Sequence, residues 1–258
     1  MSADAKEGIS FGDLLSRLPK VHASRSITWA IHPALARFLD DHLRSQHVTL
    51  ETGSGLSTLV ILRRGVARHI AVAPDPDEFV VLREFCGQNG ISAAPLEAVA
   101  RKSEEYLPIA PLPALDLVLV DGHHAFPSPF VDWYYTADRL VVGGLMIVDD
   151  IQLITGRLLA DFMDADPKWE RVLYDRSRFG IYRKLQHPIH AGDWMDQPYL
   201  AASNPVKDVT ITRFEPEPPH EAGYIERALL AVYARLPTRA QKLYRTLRYV
   251  VRRDQRQP

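Results

Sequence analysis

The sequence predicts an α/β fold in which a mostly parallel, seven-stranded sheet carries helices on both faces, in the Rossmann-like doubly wound arrangement. Short apolar strands alternate with helical segments between residues 47 and 185, which is typical of a parallel sheet covered by helices. The clearest strand, Leu115–Val120, is apolar on both faces, as a central parallel strand should be. The composition, 46% hydrophobic and 24% charged, is that of an ordinary globular protein.

The first 46 residues are predicted to form a helical segment ahead of the sheet. Phe11–Leu18 is amphipathic and stops before Pro19. A second helix is expected from Pro33 to about Ser45, because proline in the first turn is a helix-start signal.

The main domain is predicted over residues 47–185. Its strands are expected at Val48–Glu51, His69–Ala73, Leu96–Ala100, Leu115–Val120, Leu145–Val148, Trp169–Tyr174 and Phe179–Lys184. The helices between them are expected at Leu56–Arg64, Asp77–Asn89, Ser128–Leu140 and Ile151–Ala165. No helix separates the last two strands, so we expect them to form a closing antiparallel hairpin.

Two further segments complete the predicted organisation. Residues 186–220 are expected to form an irregular arm or linker, because histidine, proline, aspartate and glycine dominate there. Residues 221–258 are predicted to be a helical extension with a basic surface. From Ile225 onward the chain has nine Arg or Lys residues and two acidic ones, a net charge of +7. Because the whole chain carries −1, residues 1–224 carry −8.

A basic amphipathic helix can lie on an anionic membrane, bind nucleic acid or dock on an acidic body. A face that is solvated or docked on the chain's own body is slightly favoured, and peripheral membrane contact and homo-oligomer formation are left open. Nucleic acid is a disfavoured partner, because the tail supplies no aromatic stacking motif.

The single cysteine, Cys86, cannot form an internal disulfide, and a cysteine-based zinc site is excluded. The first residues lack the basic-then-apolar pattern of a signal peptide, and no stretch approaches the ~18 apolar residues of a spanning helix. We therefore expect a cytoplasmic protein.

The first predicted strand runs into a glycine loop, Glu51-Thr52-Gly53-Ser54-Gly55. In an open α/β sheet, ligands bind at the carboxyl ends of the strands, where the strand order reverses. Glycines let the backbone approach a ligand, and the next helix offers free N–H groups. Such a turn can also be plain strand-to-helix packing. A dinucleotide site would have a third glycine at Thr58, so a nicotinamide oxidoreductase is disfavoured.

Two acidic motifs follow at the ends of the fourth and fifth strands: Asp121-Gly122-His123-His124, and Gly143-Gly144 with Asp149-Asp150. With the glycine loop, their order resembles class I S-adenosylmethionine-dependent methyltransferases, in particular the small-molecule and sugar O-methyltransferases. The resemblance covers about residues 45–185. It implies methyl transfer from S-adenosylmethionine to a hydroxyl of a small molecule or glycan.

The resemblance also implies a set of cofactor contacts. Glu51 would contact the methionine amino group through its carboxylate. The remaining implied cofactor residues are Gly53, Ser54, Gly55, Ser57, Thr58, Asp75, Ser103 and Asp121. Two positions depart from the family pattern. Ala73 stands where an acid holds the ribose, with Asp75 as a substitute, and Lys102-Ser103 stands where a Gly-Asp-like element lies near the adenine.

Three aspartates, Asp121, Asp149 and Asp150, are expected at one edge of the sheet beside the glycine loop. Carboxylates that meet repel one another unless a cation or hydrogen-bond donors intervene. Oxygen ligands suit Mg²⁺, and metal-dependent O-methyltransferases look similar here, so we predict that these residues hold Mg²⁺. In the alternative interpretation Asp149 or Asp150 caps the next helix and Asp121 holds the Gly122 turn.

His123 and His124 follow Asp121 in the same loop. A neutral imidazole near pH 7 can act as a general base for a hydroxyl. His124 is the predicted base, because the loop continues into Ala125-Phe126-Pro127 and can aim it at the pocket; His123 and Asp121 complete the candidate catalytic set.

One competing function remains, a non-catalytic cofactor-binding or scaffold protein on the same fold. It is motivated by Ala73 and Lys102. Nucleic-acid methylation is disfavoured, because residues 1–224 are acidic and no Asn-Pro-Pro-Tyr-like motif is present.

Overall fold

A computed structural model of the chain describes residues 9–19, 21, 30–190 and 197–203. The described residues all belong to the unit Met1–Asn204. The basic tail over 221–258 and most of the arm over 186–220 lie outside the described residues, and their predicted roles stay predictions.

Seven strands and eight helices lie in the described part. The strands are β1 Val48–Thr52, β2 Arg68–Ala73, β3 Leu96–Ala100, β4 Leu115–Val120, β5 Leu140–Val148, β6 Trp169–Asp175 and β7 Phe179–Lys184. The helices are α1 Phe11–Ser16, α2 Pro33–His42, α3 Leu56–Arg63, α4 Pro76–Gln88, α5 Ser103–Tyr106, α6 Ser128–Ala137, α7 Ile154–Ala165 and α8 Pro198–Ser203. A short 3-10 turn, Leu107–Ile109, follows α5.

The strands form one sheet in the order β3-β2-β1-β4-β5-β7-β6. Strands β1 to β5 pair in parallel, whereas β7 runs antiparallel to both β5 and β6. The strand order reverses between β1 and β4, which opens a crevice at their carboxyl ends. The predicted fold class, a mostly parallel seven-stranded sheet with a closing antiparallel hairpin, is confirmed.

Helices cover both faces of the sheet because successive strand residues point to opposite sides. Leu119 packs with Leu59 of α3 in the core beneath α1 to α4. Its neighbour Val118 packs with Trp133 of α6 and Leu159 of α7 in the core on the other face. Full burial of a leucine such as Leu59 stabilises the fold by about 2 kcal/mol.

Several boundaries differ from the predicted ones. Helix α6 ends at Ala137 instead of Leu140, because the buried Nζ of Lys184 donates to the carbonyls of both residues, at 2.8 and 2.6 Å. Strand β5 consequently begins at Leu140, five residues before the predicted Leu145, and shows a register shift against β4. Helix α7 begins at Ile154 and not at Ile151.

Helix starts are stabilised by side-chain caps. The Ser10 hydroxyl accepts the N–H of Asp13 in α1, and Asp75 accepts the N–H of Asp77 in α4. Pro33 lies in the first turn of α2, as predicted. Within the described ranges, no helix has the length and apolar character needed to cross a membrane.

Candidate active site

Backbone hydrogen bonds bring the carboxyl ends of β1, β4 and β5 together. The N–H of Asp121 donates to the Thr52 carbonyl at 3.1 Å, and the N–H of Asp149 donates to the Val120 carbonyl at 3.0 Å. The glycine loop and both acidic motifs therefore begin side by side at one edge of the sheet.

Gly53 allows the glycine loop to pass close to the loop after β4. Its φ of +106° lies in a region that favours glycine, and a Cβ at this position would lie 2.5 Å from the carbonyl oxygen of Asp121. The Gly53 N–H also donates to the Val72 carbonyl of β2 at 2.8 Å. The backbone of the loop is thus held between two strands. The Asp121 carbonyl occupies the space that any side chain at position 53 would need.

The carboxylate of Glu51 lies at the base of this loop and is 1% exposed. Its Oε1 accepts the Thr58 hydroxyl and lies 3.0 Å from Nε2 of the buried His69. Its Oε2 has no hydrogen-bond partner among the described residues. An unpaired buried carboxylate oxygen is costly, so a cationic ligand group would be stabilised there.

The other predicted cofactor residues are placed as follows. Thr58 and Ser57 are buried in the first turn of α3, and Thr58 also accepts the Gly55 N–H at 2.9 Å. The Ser54 hydroxyl donates to Glu78 of α4 at 2.6 Å. Asp75 is exposed and occupied in capping α4. Of this set, Thr58 organises the loop directly, and Asp75 is engaged with its own helix.

Ser103 begins α5 and is buried. It lies near the carboxyl group of Asp132 on α6, a residue that was not among the predicted site residues. Neither carboxyl oxygen of Asp132 forms a well-directed hydrogen bond within the described structure. Burial raises the pKa of Asp132 to about 6, against the opposing effect of the nearby Ser103 and Thr52 hydroxyls. Asp132 is thus a poorly compensated buried acid.

One atom from each of Asp121, His124 and Asp150 could bind a common metal ion, since these atoms all lie within 4.8 Å of one another. His124 Nε2 is 3.1 Å from Oδ2 of Asp150. Asp149, which was predicted to be a metal ligand, lies outside this group. Its side chain is 5% exposed, and its Oδ1 has no partner in the described ranges.

Negative charge is concentrated at this edge. The pKa of Asp121 is raised well above its ordinary value by burial and then by the neighbouring Asp149, Asp150 and Glu51 carboxylates. Burial likewise raises the pKa of Asp149 to about 6. Arg178, whose Nη2 lies 3.7 Å from Asp150 Oδ1, opposes both shifts. One guanidinium thus faces several carboxylates, which makes the edge a favourable place for a cation.

The backbone of Asp150 is left-handed, with φ of +52°. This conformation is uncommon for a residue with a side chain and costs about 1 kcal/mol, although aspartate tolerates it better than most residues. The turn is held by Leu153 N–H, which donates to the Asp150 carbonyl at 2.9 Å, and Gln152 donates to Oδ1 at 2.5 Å. The chain therefore turns sharply after β5, with the Asp150 carboxylate beside His124.

The two histidines of the loop occupy different environments. His124 is partly buried, and burial lowers its pKa. Its carbonyl accepts the Thr155 hydroxyl at 2.5 Å, which ties the loop to α7. His123 is exposed, with Nδ1 3.1 Å from the Ser128 hydroxyl at the start of α6. Of the two histidines, His124 is therefore the one in contact with the Asp150 carboxylate.

Residues 50–151 match the family described as a methyltransferase domain. The fold is similar to that of the O-methyltransferase TomG from Streptomyces achromogenes, involved in tomaymycin synthesis and solved in complex with SAM. The TM-score is 0.52 at 16% identity over 67% of this chain and 90% of that chain. It is also similar to cofactor-bound Rv0187 from MTB, with TM-score 0.52 at 18% identity over 67% and 88% of the two chains. A sequence search of curated proteins gives no match.

Proposed function

We propose that the chain, in which residues 50–151 match the methyltransferase-domain family, uses S-adenosylmethionine to methylate a hydroxyl oxygen of a small molecule or glycan. The observation that carries this proposal is the meeting of Asp121, His124 and Asp150 at the crevice beside the glycine loop. A base and carboxylates next to a methyl-donor site are what hydroxyl methylation requires.

The glycine loop has features that fit the methionine end of S-adenosylmethionine. The unpaired Oε2 of Glu51 suits the ammonium group, and the space beside the α-carbon of Gly55, where a Cβ would meet no atom within 4 Å, suits close approach of the ligand. The N-terminus of α3 offers N–H groups to the methionine carboxylate. When bound, the cofactor supplies an electrophilic methyl group on a sulfonium sulfur.

His124 is the proposed general base. Its Nε2 lies 3.1 Å from Oδ2 of Asp150, so this carboxylate holds the imidazole beside the acidic residues of the site. Burial lowers the pKa of His124, which keeps the imidazole neutral and able to accept the hydroxyl proton. The Asp150 carboxylate would stabilise the imidazolium that forms when His124 accepts the hydroxyl proton.

Asp121 and Asp150 are the proposed ligands of an assisting Mg²⁺ ion. Their carboxylates supply the oxygen donors that Mg²⁺ prefers, and a divalent cation would relieve the repulsion that raises the pKa of Asp121. When bound, such an ion lowers the pKa of the acceptor hydroxyl and orients it. Carboxylate oxygens also suit Mn²⁺, so both ions belong in the test.

Binding and turnover test the main proposal together. We expect S-adenosylmethionine and S-adenosylhomocysteine to bind in calorimetry, and labelled methyl groups to pass to some member of a panel of hydroxyl-bearing metabolites and sugars. His124→Ala should lower kcat roughly 10²- to 10⁴-fold with that acceptor. His123→Ala is the matched control and should retain most activity. Unchanged turnover in His124→Ala would eliminate this residue as the base.

Metal titration tests the cation site separately. Wild-type protein should release or absorb heat with Mg²⁺ or Mn²⁺, and Asp150→Asn should abolish this signal. Asp149→Asn should retain it, because Asp149 lies outside the ligand group. Loss in both variants would instead support the three-carboxylate set, and no heat in wild-type protein would refute the metal role.

A second candidate, a cofactor-binding or scaffold protein without catalysis, is favoured by one observation. The position expected to hold the ribose is Ala73, and its substitute Asp75 is engaged in capping α4. In this case the protein would bind neither cofactor form, or would bind them without turnover on any acceptor.

We also propose that the protein is a cytoplasmic enzyme whose basic tail contacts anionic membranes. The support is the charge of +7 from Ile225 onward. In a flotation assay the full chain should move with anionic liposomes, and a chain truncated before Ile225 should not. Equal flotation of both would refute the membrane contact.

A further inference from the structure

A buried polar chain of three side chains lies next to the cofactor loop. The Thr49 hydroxyl is 2.9 Å from His69 Nδ1, and His69 Nε2 is 3.0 Å from Glu51 Oε1. Thr49 and His69 are completely buried. The residues that follow His69 in β2, Ile70 to Ala73, are apolar, so this imidazole is the polar side chain of the fully buried part of the strand.

The register of the parallel strands creates this arrangement. Thr49 of β1 is the direct partner of His69 of β2, and Glu51 lies two residues farther along β1 on the same face. A side chain at position 69 therefore reaches the carboxylate at the end of β1 diagonally. The contact follows from the strand pairing and does not depend on a loop conformation.

The hydrogen-bond pattern assigns a direction to the chain. A carboxylate oxygen can only accept, so His69 Nε2 must donate to Glu51 Oε1. His69 Nδ1 is left to exchange a hydrogen bond with the Thr49 hydroxyl, which fixes the plane of the ring. With the Thr58 hydroxyl also donating to Oε1, that oxygen has two donors and Oε2 has none.

We propose that His69 is a positioning residue for the cofactor: it orients the Glu51 carboxylate so that Oε2 remains available to the ammonium group of S-adenosylmethionine. The inference rests on the proposed function, since it presumes that this ligand binds at the glycine loop. His69 itself does not touch the ligand. His69 acts on affinity only through Glu51. Substitution of His69 should therefore weaken the binding only of ligands that carry the amino group.

Two ligands separate this role from a merely structural one. S-adenosylhomocysteine carries the ammonium group, whereas 5′-methylthioadenosine has the same adenosine and thioether but lacks the amino acid portion. In His69→Leu the dissociation constant of S-adenosylhomocysteine should rise about tenfold, as expected for a misplaced charge-assisted hydrogen bond. The dissociation constant of 5′-methylthioadenosine, measured by competition or calorimetry, should change less than about twofold.

Two matched variants at the same position sharpen the test. The amide nitrogen of His69→Gln can replace Nε2 and donate to Glu51, so this variant should bind S-adenosylhomocysteine within about threefold of wild type. His69→Asn can reach only the Nδ1 position and should behave as His69→Leu does. If His69→Leu does not fold, the Gln and Asn variants still give opposite expectations.

The outcomes distinguish the two proposals. Wild-type binding of S-adenosylhomocysteine with equal affinity in all three variants would overturn the role of His69 and leave the proposed function standing. Equal weakening of both ligands would also overturn it, because the effect would not depend on the amino group. A wild-type protein that binds neither ligand would instead overturn the proposed function.

Discussion

Replacing Asp132 by asparagine is expected to stabilise the protein at neutral pH. The Asp132 carboxyl is 1% exposed, and burial raises its pKa to about 6 from an ordinary 3.8. At neutral pH the folded protein therefore holds a poorly compensated buried charge. A difference of about two pKa units corresponds to roughly 3 kcal/mol at about 1.4 kcal/mol per unit. Asparagine has nearly the same shape and no charge, so the variant should regain most of this free energy.

The pH dependence has a definite sign. Between about pH 4 and pH 6 the folded protein keeps a proton on Asp132 that the unfolded chain has lost. The free energy of unfolding therefore falls as pH rises through this window, and the loss is complete above about pH 6. Asp149, with its pKa also raised to about 6, contributes a decline of the same sign. Asp132→Asn should thus remove part of the decline and not all of it.

Urea unfolding followed by tryptophan fluorescence, at about pH 5 and about pH 7.5, measures both effects. The gain in unfolding free energy should be larger at the higher pH. Glu84→Gln, an exposed carboxyl on α4, is the control and should change the free energy by less than about 0.5 kcal/mol at either pH. A loss of more than 1 kcal/mol in Asp132→Asn at about pH 7.5 would refute the reasoning, since the native state would then require the charged carboxylate.

Three other substitutions test other contacts. Gly53→Ala should lower the unfolding midpoint and cofactor affinity, because its Cβ would lie 2.5 Å from the Asp121 carbonyl oxygen; unchanged calorimetric affinity would contradict this. Lys184→Met should cost about 1–3 kcal/mol in chemical unfolding, because the Nζ of the buried lysine donates to two carbonyls that would lose their partner; a neutral effect would mean that water replaces it. Arg178→Met should destabilise the metal-free protein by about 1 kcal/mol and strengthen Mg²⁺ binding several-fold, because it removes the positive charge beside Asp150. Weaker Mg²⁺ binding in calorimetry would contradict this expectation.

Much of the fold follows from local sequence patterns. The limits of β4 and β7 agree with the predicted ones, because a buried parallel strand is apolar on both faces and a hairpin is bounded by turn residues. The start of β5 could not be predicted. Two glycines interrupt the apolar run there, and β5 extends across them because Leu140 pairs with Leu115 and Leu145 with Leu117, on either side of a register shift.

The site was predictable only in part. Glu51, Asp121 and Asp150 end parallel strands, so the fold alone places them at one edge. The contact of His69 with Glu51 depends on strand register, and the burial of Asp132 depends on which face of α6 is covered, and spacing along the sequence does not give either. His69 did carry a signal, as a polar residue in an apolar strand. An arginine in a hairpin turn such as Arg178 carries no comparable signal.

The charge at the crevice should affect the relative affinities for the methyl donor and for the product. Burial and mutual repulsion raise the pKa of Asp121, with Glu51, Asp149 and Asp150 as its anionic neighbours and Arg178 as the opposing charge. A sulfonium ligand brings a positive charge into this environment, and methyl transfer removes it, since the product sulfur is a neutral thioether. The carboxylates therefore stabilise the bound methyl donor more than the bound product. We expect S-adenosylmethionine to bind more tightly than S-adenosylhomocysteine when no divalent cation is present. Mg²⁺ should narrow that difference, because it neutralises the same carboxylates.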